Sequence, residues 1–299
     1  MKKYYIVGGI ILVAVVALSV IGNESLLSDD TAEKINKYIS VKRSGAKVIV
    51  VGFGYDAITA FNTEDGIVVI DAGISNSLTQ KYREVIQKEF GKNNFKYLIN
   101  THAHSDHTGG NQVFADAVIV GHENCLIEIK NFQNNITKTK PRLLKIVQDY
   151  EKELDTLNPH TEEWTETYCQ KIRYESTYND LNNSRVITYP SLIFNEQEHL
   201  STGNMTFDLY YFGKAHSDSD ILIHCPEQKI LLTGDLFFPG GRPSIGSINE
   251  TDIARWQTAK KWIEERINDI EVVIGGHGQV MNTDDLNSFL EYISERSTQ

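Results

Sequence analysis

At 299 residues the chain is long enough for one large domain or two small ones, and 40% hydrophobic with 23% charged residues is the composition of a globular protein. Its formal charge of -11 gives no electrostatic footprint for nucleic acid, whose phosphates call for Lys and Arg gathered on one face. A nucleic-acid partner is therefore disfavoured, and a small-molecule substrate is expected instead.

Lys2 and Lys3 precede an almost unbroken apolar run from Tyr4 to Ile21, closed by Asn23, Glu24 and Ser25. A basic start followed by an apolar segment marks export or membrane anchoring. The run is longer than a usual signal core and barely long enough to span a bilayer, so residues 1–22 read equally as a cleaved signal peptide and as a membrane anchor. Either reading places the protein outside the cytoplasm, periplasmic or extracellular. Leu26 to Gly45 is polar, and residues 23–46 are expected to form a linker or a loose helix before one domain over 47–299.

Short β-branched runs at Lys47 to Val51, Ala57 to Phe61 and Ile67 to Ile70 are separated by Gly, Asn and Asp, as in a strand meander. Asp71 emerges directly from the third. Leu78, Tyr82, Val85, Ile86 and Phe90 then follow the helical period and Gly91 ends it. Phe95 to Asn100 and Ala117 to Val120 read as strands, with a helix near Glu123 to Ile129. Residues 131–190 are richer in Asn, Thr, Lys, Glu and Tyr and carry two helix-like pieces, near Arg142 to Leu157 and Thr161 to Tyr174. They read as a helical insertion whose Trp164, Tyr168, Tyr174 and Tyr178 are candidate pocket walls, although such aromatics more often serve packing. Strands return at Ser191 to Phe194 and Met205 to Phe212. Ile221 to Cys225 and Lys229 to Thr233 read as a hairpin, followed by a helix from Asp252 to Ile267 and a strand from Glu271 to Ile274. This alternation predicts an α/β arrangement with helices covering sheets.

The stretch from Thr101 to Gly110, Thr-His-Ala-His-Ser-Asp-His-Thr-Gly-Gly, carries the chemistry. Three histidines and a carboxylate within six residues are costly to hold together unless something coordinates them, and imidazole with carboxylate is a ligand set suited to zinc. Further histidines and carboxylates follow where apolar strands give way to polar or Gly-rich loops: His216, Asp235 and His277. Folding a sheet would gather these residues, with Asp71, on one edge. His122, His160, His199 and His224 are assigned structural roles, His122 as a helix cap. Cys125, Cys169 and Cys225 include no Cys-x-x-Cys pair, so neither a zinc knuckle nor a redox motif is indicated. Buried reduced thiols are expected at Cys125 and Cys225.

Five ordered pieces, Val-Val-Ile-Asp71-Ala-Gly, Thr-His102-Ala-His104-Ser-Asp106-His107-Thr-Gly-Gly-Asn, Ala-His216-Ser-Asp-Ser-Asp220, Leu-Leu-Thr-Gly-Asp235 and Gly-Gly-His277-Gly, resemble the metallo-β-lactamase fold superfamily over about residues 47 to 290. The resemblance implies a four-layer αββα sandwich with two zinc ions per chain at one edge of the sheets. Carried over residue by residue, His102, His104 and His216 would bind the first zinc and Asp106, His107 and His277 the second. Asp235 would bridge both, and Asp71 would orient the ligand loop without touching metal. Two cations about 3.5–4 Å apart share a hydroxide that serves as nucleophile at neutral pH. Asp106 would both ligate and hold that hydroxide.

Such a centre implies a dinuclear zinc hydrolase acting on an ester, thioester, lactone or related bond. The superfamily's true β-lactamases carry Cys or Ser at the place of Asp235, which leaves β-lactam hydrolysis as the second reading. Similarity to one-iron persulfide dioxygenases is a third. A membrane-tethered binding protein with a structural metal fits less well, because structural sites are usually closed by four ligands. Removal of residues 1–22 is expected to leave a soluble folded protein that keeps its metal. Gel filtration and elemental analysis check this, and aggregation or metal loss in the shortened chain alone would contradict it.

Overall fold

The computed structural model describes residues 35–159, 161–183, 185–244 and 250–296. The N-terminal segment read as signal or anchor, and His160, lie outside the described residues. Among the described residues no helix is long and apolar enough to cross a membrane.

The first sheet holds seven strands side by side in sequence order: β1 (Ile39–Arg43), β2 (Val48–Phe53), β3 (Asp56–Asn62), β4 (Ile67–Ile70), β5 (Phe95–Ile99), β6 (Val118–His122) and β7 (Leu192–Phe194). In the second sheet are β8 (Gln197–Ser201), β9 (Thr206–Tyr211), β10 (Ile221–Cys225), β11 (Ile230–Gly234), β14 (Val272–Gly275) and β15 (Val280–Met281), ordered β15-β14-β11-β10-β9-β8. The short strands β12 (Phe237–Phe238) and β13 (Arg242–Pro243) pair apart from both. Helices follow as α1 (Asn76–Phe90), α2 (Ser105–Thr108), α3 (Glu123–Asn134), α4 (Ile136–Leu154), α5 (Glu162–Asn183), α6 (Glu250–Glu264) and α7 (Thr283–Arg296).

Period-2 alternation along the strands builds three apolar layers. Val48 and Val50 of β2 join Phe61, Val68, Phe207, Leu209, Ile221 and Ile223 between the sheets. Ile49, Val51 and Phe53 of the same strand turn outward onto Leu78, Tyr82 and Ile86 of α1 and onto Cys169 and Ile172 of α5. On the far face Leu222 and Leu231 meet Trp256, Trp262 and Ile263 of α6 and Leu286, Phe289 and Leu290 of α7. Helix, sheet, sheet, helix is the observed order, so the expected αββα sandwich stands. α1 starts where Ser75 Oγ accepts from Leu78 N (3.2 Å) and stops at Gly91, whose φ of 62° suits a residue without Cβ.

One stretch departs from the sequence reading. Within the polar segment read as linker or loose helix, residues 39–43 form an edge strand paired antiparallel with β2, Ile39 opposite Phe53. Four of its five residues are exposed, which is why no apolar alternation marked it. The three cysteines are buried and free.

β4, β5, β6 and β7 run parallel, as do β11 and β14. Parallel strands deliver their C-terminal loops to the same edge, where ligand sites of α/β proteins form. Asp71 follows β4, the His102–His107 loop follows β5, Asp235 follows β11 and His277 follows β14. Gly234 and Gly275 sit opposite one another in the β11–β14 register, which sets Asp235 beside His277.

Candidate metal centre

The predicted site residues converge. Nitrogen or oxygen atoms of His102, His104 and His216 lie within 4.8 Å of one another, as do those of His102, His107 and Asp235, and of Asp106, His107 and His277. His104 Nδ1 is 3.1 Å from His102 Nε2 and 3.0 Å from His216 Nε2. Asp235 Oδ2 lies 3.0 Å from His277 Nε2, 3.5 Å from His107 Nε2 and 3.7 Å from His216 Nε2. A single carboxylate thus reaches both histidine groups.

The outward nitrogens are already committed. Nδ1 of His107 faces Asp71 Oδ2 at 2.9 Å, Nδ1 of His216 faces the Ser244 carbonyl at 3.0 Å, and Nδ1 of His277 faces the Tyr55 carbonyl at 2.8 Å. Each oxygen accepts, so Nδ1 carries the proton and Nε2 turns a lone pair inward. Lone pairs then face one another and the Asp235 carboxylate. His107 Nε2 and Asp235 Oδ1 are buried with no hydrogen-bond partner. Positive charge placed between these atoms satisfies all of them, and that is the test a metal has to pass here.

Electrostatics favour the neutral ligand form at His102 and His104, whereas at His107 a metal would have to displace a proton from Nε2. Burial, with the charge on His107 second, pulls His102 well below the usual imidazole range, and burial with neighbouring His216 does the same more mildly to His104. Neutral imidazole is the ligand form. Burial works against His107, but Asp235 and Asp71 outweigh it and hold this imidazole well above its ordinary range. Asp235 stays far below the carboxylate range despite burial, because His107 and His277 stand beside it, and Asp106 is lowered against its own burial by the same two histidines.

Local structure explains the placement. Asp71 takes a left-handed backbone (φ 62°), rare for a residue with Cβ. That turn aims its carboxylate back at the β5 loop, where Thr101 N and Thr101 Oγ1 each donate at 2.8 Å. α2 begins directly after His104, placing Asp106 and His107 in its first turn. Gly276 leaves no room for a side chain: a Cβ there would overlap Asp235 Oδ1 and lie 2.7 Å from His107 Cε1. Gly276→Ala is expected to lower zinc affinity about 10- to 100-fold, the range for disturbing the shell around metal ligands. Competition against a chromophoric chelator measures it, and parental affinity would count against the close approach.

Residues 51–277 match the family model for the metallo-beta-lactamase superfamily. The chain belongs to that superfamily. Metallo-beta-lactamase type 2 of Bacillus cereus is 24% identical over 219 residues, 73% of this chain and 65% of that protein. For the enzyme of the same name from Bacillus sp. (strain 170) the identity is 26% with the same coverage, so the chain spans 65% of the length of these two relatives. The metallo-beta-lactamase type 2 of Elizabethkingia meningoseptica is 22% identical over 235 residues, 78% of this chain and 73% of that one. Among solved structures, the metallo-beta-lactamase from Pontibacter korlensis superposes with a TM-score of 0.57 at 18% identity, covering 86% of this chain and 99% of that one. FIM-1 from Pseudomonas aeruginosa in the mono-zinc form gives 0.55 at 15%, covering 87% and 97%. At these identities the structural likeness shows the superfamily fold.

A cavity of about 610 Å³ opens beside this superfamily centre, lined by His104 and Asp106 on one side and by Ile74, Arg142, Leu143 and Tyr174 on another. Of the four aromatics considered as pocket walls, Tyr174 lines it. Trp164 and Tyr168 instead stack on each other, centroids 5.0 Å apart. Arg242 is exposed and donates from Nε to the Pro239 carbonyl at 3.3 Å. The remaining described histidines have structural partners. His122 Nδ1 accepts from Asn124 N at 3.2 Å as a helix cap, His199 Nδ1 pairs with Asp208 Oδ1 at 2.7 Å, and His224 Nε2 is 3.3 Å from the Asp269 carbonyl.

Sequence reasoning missed the support behind His277 and Asp106. Tyr55 stacks on His277, centroids 4.3 Å apart, and buried Asp56 and Arg173 stand behind Asp106. A lone Tyr-Asp in a tight turn and a lone Arg in a polar helix carry no spacing that would single them out.

Proposed function

We propose that the protein is a dinuclear zinc hydrolase in which His102, His104 and His216 hold one ion, Asp106, His107 and His277 the other, and Asp235 both. The observation that carries this reading is the position of Asp235 Oδ2, within 3.0–3.7 Å of Nε2 atoms from both groups. When bound, zinc supplies a lowered water pKa and a positive pole for the substrate's carbonyl oxygen.

The chain's own residues do the rest. Asp71, Ser244 and the Tyr55 carbonyl hold the protons of His107, His216 and His277 outward, so the inward nitrogens stay free to donate lone pairs. Asp106, kept ionised and with its side chain 31% exposed, faces the cavity and accepts a hydrogen bond from the attacking water, turning that water's lone pair towards the carbonyl carbon. Ile74, Leu143 and Tyr174 give the substrate an apolar wall, which excludes water from one side of the reacting bond.

The preferred substrates are an ester, thioester or lactone, because each of the three groups is made of His and Asp alone, with Asp where the superfamily's β-lactamases carry Cys or Ser. β-Lactam hydrolysis is the second reading, favoured by relatives named metallo-beta-lactamase type 2. Export, with or without retention of residues 1–22 as an anchor, belongs to the same proposal. Chelator-treated protein is expected to lose at least about 100-fold in turnover and to regain it with zinc, since metal-activated water is the nucleophile. A panel of thioesters, lactones, phosphoesters and β-lactams then selects the substrate. Full activity after complete metal removal would refute the assignment, whereas β-lactams as the fastest substrates would replace only the substrate class.

A further inference from the structure

An ionic cluster lies behind the Asp106, His107 and His277 group that the hydrolysis above does not use. Arg173 of α5 is 2% exposed. Its Nη2 lies 3.6 Å from Asp56 Oδ1 and 3.7 Å from Asp106 Oδ2, and its Nη1 donates to Gln170 Oε1 at 2.6 Å. Asp56 is fully buried, accepts from Tyr82 Oη at 2.9 Å and keeps Oδ1 without a hydrogen-bond partner, as does Nε of Arg173. Tyr55, the preceding residue, ties the cluster to His277 through its carbonyl and its ring, and the Arg173 guanidinium carbon is 5.8 Å from that ring's centroid.

One cation therefore reaches Asp106 directly and the support of His277 at second hand. Taking a guanidinium out of water is costly, and a packed apolar side chain of similar volume is often at least as stable. Here the hydrogen bond to neutral Gln170 offsets only part of that cost, because both carboxylates lie beyond 3.5 Å from the guanidinium nitrogen that faces them. Fold stability alone accounts poorly for such an arrangement. The charge balance suits another role: Arg173 shares one positive charge between Asp56, which has no place in the three candidate metal groups, and Asp106, which has. The first group is backed differently, by Thr101 Oγ1 on His102 and Ser244 on His216.

We infer that Arg173 is a positioning residue that fixes Asp106, and through Tyr55 and Asp56 steadies His277, so that α5 sets the affinity of the second metal independently of the first. This rests on the two-zinc reading above. Arg173 touches neither substrate nor reacting atoms in this account. Its effect is a split between two binding constants, which a purely structural residue would not produce.

The test uses the full chain, stripped by chelator and titrated with zinc against a chromophoric competitor, with thermal unfolding followed in parallel. Arg173→Met is expected to weaken the second equivalent about 10- to 100-fold, as for other partners of metal ligands, and to leave the first unchanged. Arg173→Lys keeps the charge without the planar reach and should fall between parent and Arg173→Met. Arg173→Met with Asp56→Asn removes both buried charges together. It should fold, and it should still show the weak second equivalent. Two unchanged constants in a folded variant, or two that fall in parallel, would overturn the inference while leaving the hydrolase reading intact. Unfolding of the double variant as well as the single would also overturn it, by assigning Arg173 to stability. Failure of the parent to take up a second zinc would overturn both.

Discussion

Asp235→Ala is expected to lower bound zinc from near two per chain towards one and to cut hydrolysis by more than about 100-fold, beyond the range seen for loss of a ligand's outer partner. Oδ2 of this one side chain stands 3.0 Å from His277, 3.5 Å from His107 and 3.7 Å from His216. Removing it leaves five histidines facing one another across a partly dry gap with no negative charge among them except Asp106. The first group keeps three nitrogens and retains its ion, whereas the second loses the acid that joins it to the first. Elemental analysis of the purified variant beside the parent reads this directly. Unchanged loading of two would remove the bridging role, whatever happened to turnover.

Asp71→Ala has the next largest expected effect, and it acts on fold and metal together. The carboxylate accepts from Thr101 N and Oγ1 and from His107 Nδ1, all buried. Its loss leaves donors without partners in a dry site, at about 1–3 kcal/mol for each buried group left unsatisfied. We expect a net destabilisation of about 2–4 kcal/mol in urea unfolding, since the shared carboxylate sites and local relaxation keep the costs from adding fully. Asp71→Asn separates the two consequences. Its Oδ1 still accepts from Thr101 N, so the strand turn survives. An amide nitrogen in place of Oδ2 presents protons to His107 Nδ1, however, and drives the imidazole proton to the inward nitrogen. Zinc affinity should then fall about 10- to 100-fold in a protein that unfolds close to the parent's midpoint. An Asn variant with parental zinc affinity would show that the His107 tautomer is set elsewhere.

Both expectations rest on residues visible in the sequence, because each is a polar residue released by an apolar strand into a loop. β4, β5, β11 and β14 are followed within two residues by Asp71, Thr101, Asp235 and His277, and parallel pairing does the rest. The elements that sequence reading missed lack such contrast. β1 exposes four of five residues, and β8 is buried only at Leu200. α4 begins at Ile136, ahead of the start near Arg142 read from the sequence, and carries Pro141 inside it, a residue that is more usual at the first helical position. α7 did carry a signal, with Leu286, Phe289, Leu290 and Ile293 at helical spacing on the α6 side of the second sheet. Arg173 and Asp56 are a different case. Their burial arises from packing α5 against α1 and the β2–β3 turn, a contact between segments more than a hundred residues apart that no local pattern announces.

Metal content measured together with oxygen consumption tests the central claim most directly. Protein purified without added metal, from a chain carrying His104 and Asp235 in these positions, should hold zinc near two per chain. It should hydrolyse an activated ester or thioester and consume no oxygen during turnover, because zinc has no redox chemistry and the reaction is attack by water. Iron at one per chain with oxygen uptake coupled to substrate loss would contradict the hydrolase account and place the same cluster of histidines and carboxylates in an oxygenase.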